Sequence, residues 1–467
     1  MTLRQRMSFS IQVLKSIFST FRFGVNLYAL LKSVKNLNNT FINDGYNKIS
    51  YATLYKETLL VIDKLKNFPS NHISQKVVLI ADNSFNFIQY LFALSALSRE
   101  VIIINPHLAE GQLEKILSNY SANLIITDNS VQIKNIDLQL IVYSFAEINA
   151  FPISKSIRKL KRNQGKITIL STGSSNMATA IERKLEVTKI WNPFIELVSK
   201  LSLLDYSSSQ ITVPFYHGYG LASLILALFL KHDIYFSSHF NSKLIVHSIN
   251  NNRIDCLVVI PSMIGKLIDI DAYALGNCKC IISGADKLEP QWTSYVINQY
   301  NKTKIFNLYG TTELGICSIA AHDDLMMAND TIGRFLKGIK YNLEADHELK
   351  VKCSWMQDHD NSLYISTGDF IRQDDTGLLY YLGRINNSLN IGGEIVNCNE
   401  LEKTIAVYPS IMKTKVVGHK NENLITELRL EATLKNDVYF NETDFKNWLH
   451  ETLPKYLQPK SIHYKNN

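Results

Sequence analysis

Between residues 124 and 310 the chain alternates short apolar runs with helical spacers, and that rhythm limits the folds open to it. The runs read "LIITD", "LQLIVYS", "KITILS", "ITVPF", "DCLVVIP", "CKCIISG" and "KIFNLYG". They are short enough to be strands and too continuously apolar to leave one face wet, which is the pattern of a parallel sheet covered by helices on both sides. Upstream, "KVVLIADNSFNFIQYLFALSALSREVIIINP" reads as strand, helix and strand, the unit from which such sheets are built. Five runs end in small or polar residues: "STGSS" from 171, "PFYHGYG" from 214, "PSMIG" from 261, "SGAD" from 283 and "NLYGTTELG" from 307. Ligands of open α/β sheets collect beyond the carboxyl ends of the strands, so one shared site at that edge accounts for all five.

At 467 residues the chain is long for a single domain. Near residue 382 its texture changes to the β-rich, glycine-containing passage "TGLLYYLGRINNSLNIGGEIVNCNELEKTI". A large unit over residues 1–382 and a small one over 383–467 are expected. With 46% apolar and 19% charged residues the composition is that of a globular protein with a sizeable core. A net charge of +7 suits an anionic ligand or surface and is too dilute over this length to argue for nucleic acid. The six cysteines form no CxxC pair and no set with histidine, so they read as free thiols of a reducing, cytoplasmic compartment.

No apolar run reaches the ~20 residues of a membrane span. Residues 1–43 contain no acid, while Arg4, Arg6, Lys15, Arg22, Lys32 and Lys35 punctuate an apolar series of Ile17, Phe18, Phe21, Val25, Tyr28 and Leu31. Two placements of this opening helix stay open: packed on its own domain, or in peripheral contact with anionic lipid at the inner face of a membrane.

The loop "STGSS" offers hydroxyls and a glycine whose backbone can wrap a phosphate oxygen, although it lacks the lysine of the common P-loop. In "NLYGTTE", Tyr309 presents a flat face to a purine, Gly310 permits close backbone approach, and Thr311 and Thr312 can donate to phosphate. Glu313 can hold Mg²⁺ there. Asp369 of "STGD" and Arg384 of "GR" have the chemistry of a clamp on two ribose hydroxyls. Each motif alone is ordinary turn chemistry.

In this order, "STGSS", "PFYHGYGL", "SGADKL", "NLYGTTELG", "STGDF" and "GRINNSLNIGGEIVNCNELE" resemble the adenylate-forming superfamily of AMP-binding acyl-CoA synthetases, and within it the bacterial long-chain fatty acyl-CoA ligases. The resemblance implies an α/β fold: a large N-terminal adenylation domain on parallel-rich sheets with helices, and a small mobile C-terminal α+β lid. It also implies a two-step ligase in which a medium- or long-chain fatty acid and MgATP give acyl-AMP, and the thiol of CoA then displaces AMP. By position, Ser171, Thr172, Gly173, Ser174 and Ser175 match the phosphate loop. Gly284, Ala285 and Asp286, with Asn307, Tyr309, Gly310 and Thr311, match the nucleotide pocket. Thr312 matches the α-phosphate contact, Glu313 the magnesium ligand, and Asp369 with Arg384 the ribose clamp. His217 matches a histidine at the mouth of the acyl pocket, whose apolar wall would be "LASLILALFL". Asn386 falls at the hinge, and Gly392 and Gly393 fall where the CoA arm passes in the second step.

Three departures bear on the rate. Asn176, Ala178 and Thr179 replace the Gly, Pro and Lys usual in the phosphate loop, with Arg183 and Lys184 just beyond. The segment "LPKYLQPKSIHYK" leads toward a catalytic lysine, but Asn467 ends the sequence before that position, and Lys460 and Lys465 do not match it. Loss of such a charge-stabilising donor predicts adenylation slowed by about 10²–10³-fold. The stretch from Tyr341 to Tyr364 is short, and Asn386, Asn387 and Asn390 stand where charge is usual. Two further readings therefore stand beside the CoA ligase: an acyl-AMP ligase that loads a carrier protein, and a degenerate fold that binds nucleotide or acyl ligand without turnover.

Overall fold

A computed structural model describes the chain except residues 1–2, 44–46, 67–75, 98, 109, 121, 123, 129–139, 154–159, 164, 171–186, 312–313, 344–347, 354–363, 385–387, 392–393, 423–424, 436–437 and 467. The alternation read from the sequence becomes two large sheets. One has five strands, all parallel, with Lys76–Ile80 at its centre between Glu100–Ile104 and Leu124–Thr127. Helix Phe85–Ala96 connects the central strand to its neighbour, and its residues from Phe87 to Ala96 are all buried. Burial on every side explains why this helix shows no polar stripe in the sequence.

The second sheet has thirteen strands and changes character along its width. Strands Ser208–Ile211, Cys256–Val259, Cys280–Gly284 and Lys304–Thr311 lie side by side and parallel. From Lys304–Thr311 onward the pairing becomes antiparallel, through Gly315–Ala320, Thr331–Phe335, Leu379–Arg384 and Ile365–Gln373 to the Glu348–Cys353 and Ile339–Leu343 edge. The expectation of a parallel sheet thus holds for only part of this one, because hairpins such as "NLYGTTELGICSIA" return the chain without a crossover. Asn83 stitches the two sheets together. Its side-chain amide donates to the carbonyls of Val213 (3.4 Å) and Ser237 (3.1 Å), and its Oδ1 accepts from Phe215 N–H at 2.7 Å.

Beyond Arg384 a smaller unit contains a three-stranded sheet, Ile411–Lys420, Thr426–Leu434 and Ser461–Asn466, and the hairpin Ser388–Ile391/Glu394–Asn397. Helices Cys398–Ile405 and Glu442–Thr452 accompany these strands, and the unit has its own core of Val396, Leu401, Ile405, Val416, Leu430, Phe445 and Leu449. The expected division between 382 and 383 falls inside the last strand of the large sheet, which runs to Arg384.

The N-terminal reading needs a correction. Periodicity from Ile17 to Leu31 suggested one helix, but there are two, Leu3–Phe23 and Leu27–Val34. They break at Gly24, whose φ of 94° suits glycine, and a Cβ there would lie 1.7 Å from the Asn163 carbonyl oxygen. Asn26 caps the second helix by accepting from Ala29 N–H. Tyr28, Leu31 and Val34 enter the core, whereas Phe18 and Phe21 do not. All six cysteines are buried and none is in a disulfide. Among the described residues no helix is long and apolar enough to cross a membrane.

Candidate active site

The ribose-clamp candidates, fifteen residues apart in sequence, are brought together by strand register. Asp369 and Arg384 sit directly opposite each other in the antiparallel pair Ile365–Gln373/Leu379–Arg384. Arg384 Nε lies 2.9 Å from Asp369 Oδ1. Tyr309, from the next motif, donates its phenol to Asp369 Oδ2 at 2.8 Å. Asp369 is only 1% exposed, so its charge relies on close partners such as these. Burial, and then the adjacent Asp369 charge, hold the Tyr309 pKa well above its ordinary value, and the phenol stays a donor.

The "SGAD" turn lies at the carboxyl end of strand Cys280–Gly284. Ala285 there adopts φ 66°, a left-handed conformation that costs a residue with a Cβ. Gly284 is constrained from two sides: a Cβ would meet Tyr219 Cζ at 3.2 Å and Leu308 O at 3.3 Å. Asp286 accepts from Lys287 N–H at 2.7 Å, and burial pushes its pKa up to about 6 despite the opposing Lys420. Tyr381, pushed up to about 12 mainly by burial, also feels Asp369, Arg384 and Asp286. The turn and the clamp therefore share one electrostatic neighbourhood.

Other candidates also make scaffold contacts. Asn307 is buried, and its amide donates to Thr331 O at 3.1 Å. The space beside Gly310 is filled by protein, since a Cβ would lie 2.2 Å from Gly315 O. Glycine is required there by the bulged hairpin Lys304–Thr311/Gly315–Ala320 itself. Thr311 Oγ1 accepts from Leu314 N–H at 3.1 Å and closes that hairpin. Ser171, Thr172, Gly173, Ser174, Ser175, Thr312, Glu313, Asn386, Gly392 and Gly393 lie outside the described residues.

His217 begins helix Gly218–Leu230 at the N-cap position. Its expected apolar wall is largely used elsewhere: Leu221, Leu224, Ala227 and Leu228 of this helix are buried in the main core. A contact not anticipated from sequence crosses from the small unit, where Glu394 Oε1 lies 3.3 Å from His217 Nε2 and accepts from Asn105 Nδ2 at 3.0 Å. Asn105 Oδ1 accepts from His107 N–H at 2.9 Å, and His107 Nε2 pairs with Asp82 Oδ1 at 3.1 Å. That hydrogen bond raises the His107 pKa against the opposing effect of burial. The small unit makes a second contact through Lys420, which pairs with Glu289 beside the "SGAD" turn. Burial, and then Lys287, lower the Lys420 pKa. The sequence signal for Glu394 was its place directly after Gly392 and Gly393; Asn105, His107 and Lys420 carried none. Lys465 bonds Glu431 at 2.8 Å on its own sheet.

Residues 198–354 match the family described as AMP-binding enzyme. Over 436 residues the chain is 23% identical to a 2-succinylbenzoate–CoA ligase of Lactococcus lactis, covering 90% of this chain and 92% of that protein. The fold superposes on a double-mutant o-succinylbenzoate CoA synthetase from Bacillus subtilis bound with a product analogue, with a TM-score of 0.80, 16% identity, and coverage of 94% of this chain and 95% of that one. The enzyme from the same organism in complex with ATP and magnesium gives 0.68 at 18% identity, covering 93% and 95%. The finer likeness expected, to long-chain fatty acyl-CoA ligases, gives way here to relatives named for 2-succinylbenzoate. The chain has the adenylate-forming α/β fold, and its central third matches the AMP-binding enzyme family.

Proposed function

We propose that the protein is an AMP-forming acid–thiol ligase, which joins a carboxylic acid to ATP as acyl-AMP and passes the acyl group to CoA. The observation that carries this reading is the buried Asp369 with Arg384 and Tyr309 around it. A carboxylate that accepts from ribose hydroxyls, beside a guanidinium that donates to them, is the donor set an adenosine sugar requires. The left-handed turn at Ala285 beside the same pair gives the adenine a rigid neighbour. Thr312 and Glu313 follow Tyr309 of this constellation in sequence. There the carboxylate would hold Mg²⁺, which neutralises phosphate charge.

The small unit is docked with Glu394, the residue after Gly392 and Gly393, against His217. This is the arrangement suited to the second step, in which CoA would pass the two glycines. For the acid, the reading favours a compact aromatic dicarboxylate of the 2-succinylbenzoate type over a long alkyl chain. Helix Gly218–Leu230 buries much of its apolar surface in the core instead of lining a tunnel, and the relatives named above act on 2-succinylbenzoate. Pyrophosphate exchange with 2-succinylbenzoate, benzoate and a series of fatty acids, followed by thioester assay with CoA, tests both levels. Exchange that depends on 2-succinylbenzoate supports the whole reading. Exchange with fatty acids alone replaces the substrate, and no exchange with any acid despite ATP binding overturns the activity.

A further inference from the structure

We infer that helix Leu3–Phe23 is a docking surface for an anionic phospholipid bilayer, an inference independent of the reaction proposed above. The helix rests on the body through Phe9, Phe23 and a polar row, and leaves a second apolar row outside. At about 100° per residue, Gln12, Ser16 and Ser19 share one face. That face turns inward, with Gln12 and Ser19 buried. Gln12 Nε2 donates to Ser33 Oγ at 3.1 Å, the Ser16 and Ser33 hydroxyls lie 3.3 Å apart, and Ser19 Oγ donates to Ala29 O at 2.7 Å. The opposite face is a stripe of Met7, Ile11, Leu14, Phe18 and Phe21 at alternating spacings of four and three. Leu14, Phe18 and Phe21 are 65%, 69% and 71% exposed. A helix that turns this apolar stripe outward while Ser16, Ser19 and the Gln12 amide N–H bond inward calls for an apolar partner.

Charge selects which partner. Lys15 and Arg22 are exposed along one flank of the stripe. Arg162 lies with Cζ 5.3 Å from the Phe21 ring centroid, on a segment held to the helix end by Asn163 N–H donating to Phe23 O at 3.1 Å and Gly165 N–H to Val25 O at 3.0 Å. No acidic residue occurs before Asp44. A second copy of the chain would set these cations against one another with no carboxylate from either helix to pair them. A bilayer carrying anionic headgroups accepts the stripe into its acyl boundary and the cations at its surface. At 21 residues the helix is about 30 Å long and lies in the plane of the interface instead of crossing it.

Co-sedimentation of the full chain with vesicles of phosphatidylcholine alone, and of equal parts phosphatidylcholine and phosphatidylglycerol, tests this. Binding is expected to the mixed vesicles, to weaken as salt rises, and to be lost in Phe18→Ser/Phe21→Ser. Both rings are exposed, so the fold should survive, and circular dichroism checks that. Lys15→Glu/Arg22→Glu should weaken binding by about tenfold or more. The inference is overturned if the wild-type chain stays in solution with both vesicle types, or if the serine variant binds as well as wild type. It also falls if sedimentation velocity shows a dimer that the serine variant dissolves, which would make the occupant a second copy.

Discussion

Replacing Arg384 with methionine would remove the guanidinium from Asp369 while keeping much of the apolar stem. The carboxylate left behind is 1% exposed and loses its opposite charge, while the Tyr309 phenol stays 2.8 Å from its other oxygen. Breaking a fully buried ion pair costs about 3–5 kcal/mol, because the surviving charge is left uncompensated. Arg384 is itself 21% exposed, which lets water reach the vacated position and brings the expected loss to about 2–3 kcal/mol. Urea unfolding should show that loss as a lower midpoint, and calorimetry should show AMP binding weakened by about tenfold or more. Asp369→Asn in the same chain removes the stranded charge. The double variant should therefore regain much of the stability of Arg384→Met while binding AMP no better. The reasoning is refuted if Arg384→Met unfolds at the wild-type urea concentration with unchanged AMP affinity, or if the double variant loses the sum of the two single losses.

Glu394→Ala removes the carboxylate that accepts from Asn105 and pairs with His217. It should slow thioester formation by about tenfold while leaving pyrophosphate exchange near wild type; equal losses in both steps would count against a docking role. Asp286 has its pKa raised by burial to about 6 from 3.8, so the folded protein holds that proton more tightly than the unfolded chain. Its contribution to stability is complete below pH 4, is lost as pH rises through about 6, and is flat above that. Asp286→Asn should remove this slope and stabilise the protein at pH 7 by about 1–3 kcal/mol, measured by thermal unfolding across the pH series. Ala285→Gly relieves a φ of 66° and should raise stability by up to about 1 kcal/mol; a loss would mean that the methyl group is packed productively.

Because burial on both faces leaves an unbroken apolar signature, the apolar runs were enough to place most of the parallel strands in order, though not Ser208–Ile211, which ends where "ITVPF" begins, nor Asp233–Phe236. The motifs were legible for a similar reason: Gly, Thr, Asp and Arg in those short loops are residues of particular backbone freedom or charge. Where they meet was not legible. Asp369 faces Arg384 because two strands pair in one register, and a one-residue slip would turn either side chain to the other face. Gly310 and Asn307, which match nucleotide-pocket positions, also serve the hairpin and its neighbour. Glu394 reaches His217 only because a separately cored unit docks against the body.

The first helix divides the two kinds of knowledge most sharply. Sequence alone determined that it is basic, amphipathic and free of acid, since charge and period are properties of the chain. Which face turns inward was decided by the tertiary structure. Ser33 and the Ala29 carbonyl offered hydrogen bonds to Gln12, Ser16 and Ser19, and with that row turned inside, the aromatic stripe was left to the solvent side. Periodicity reports which residues share a face; only the neighbouring surface decides which face it covers.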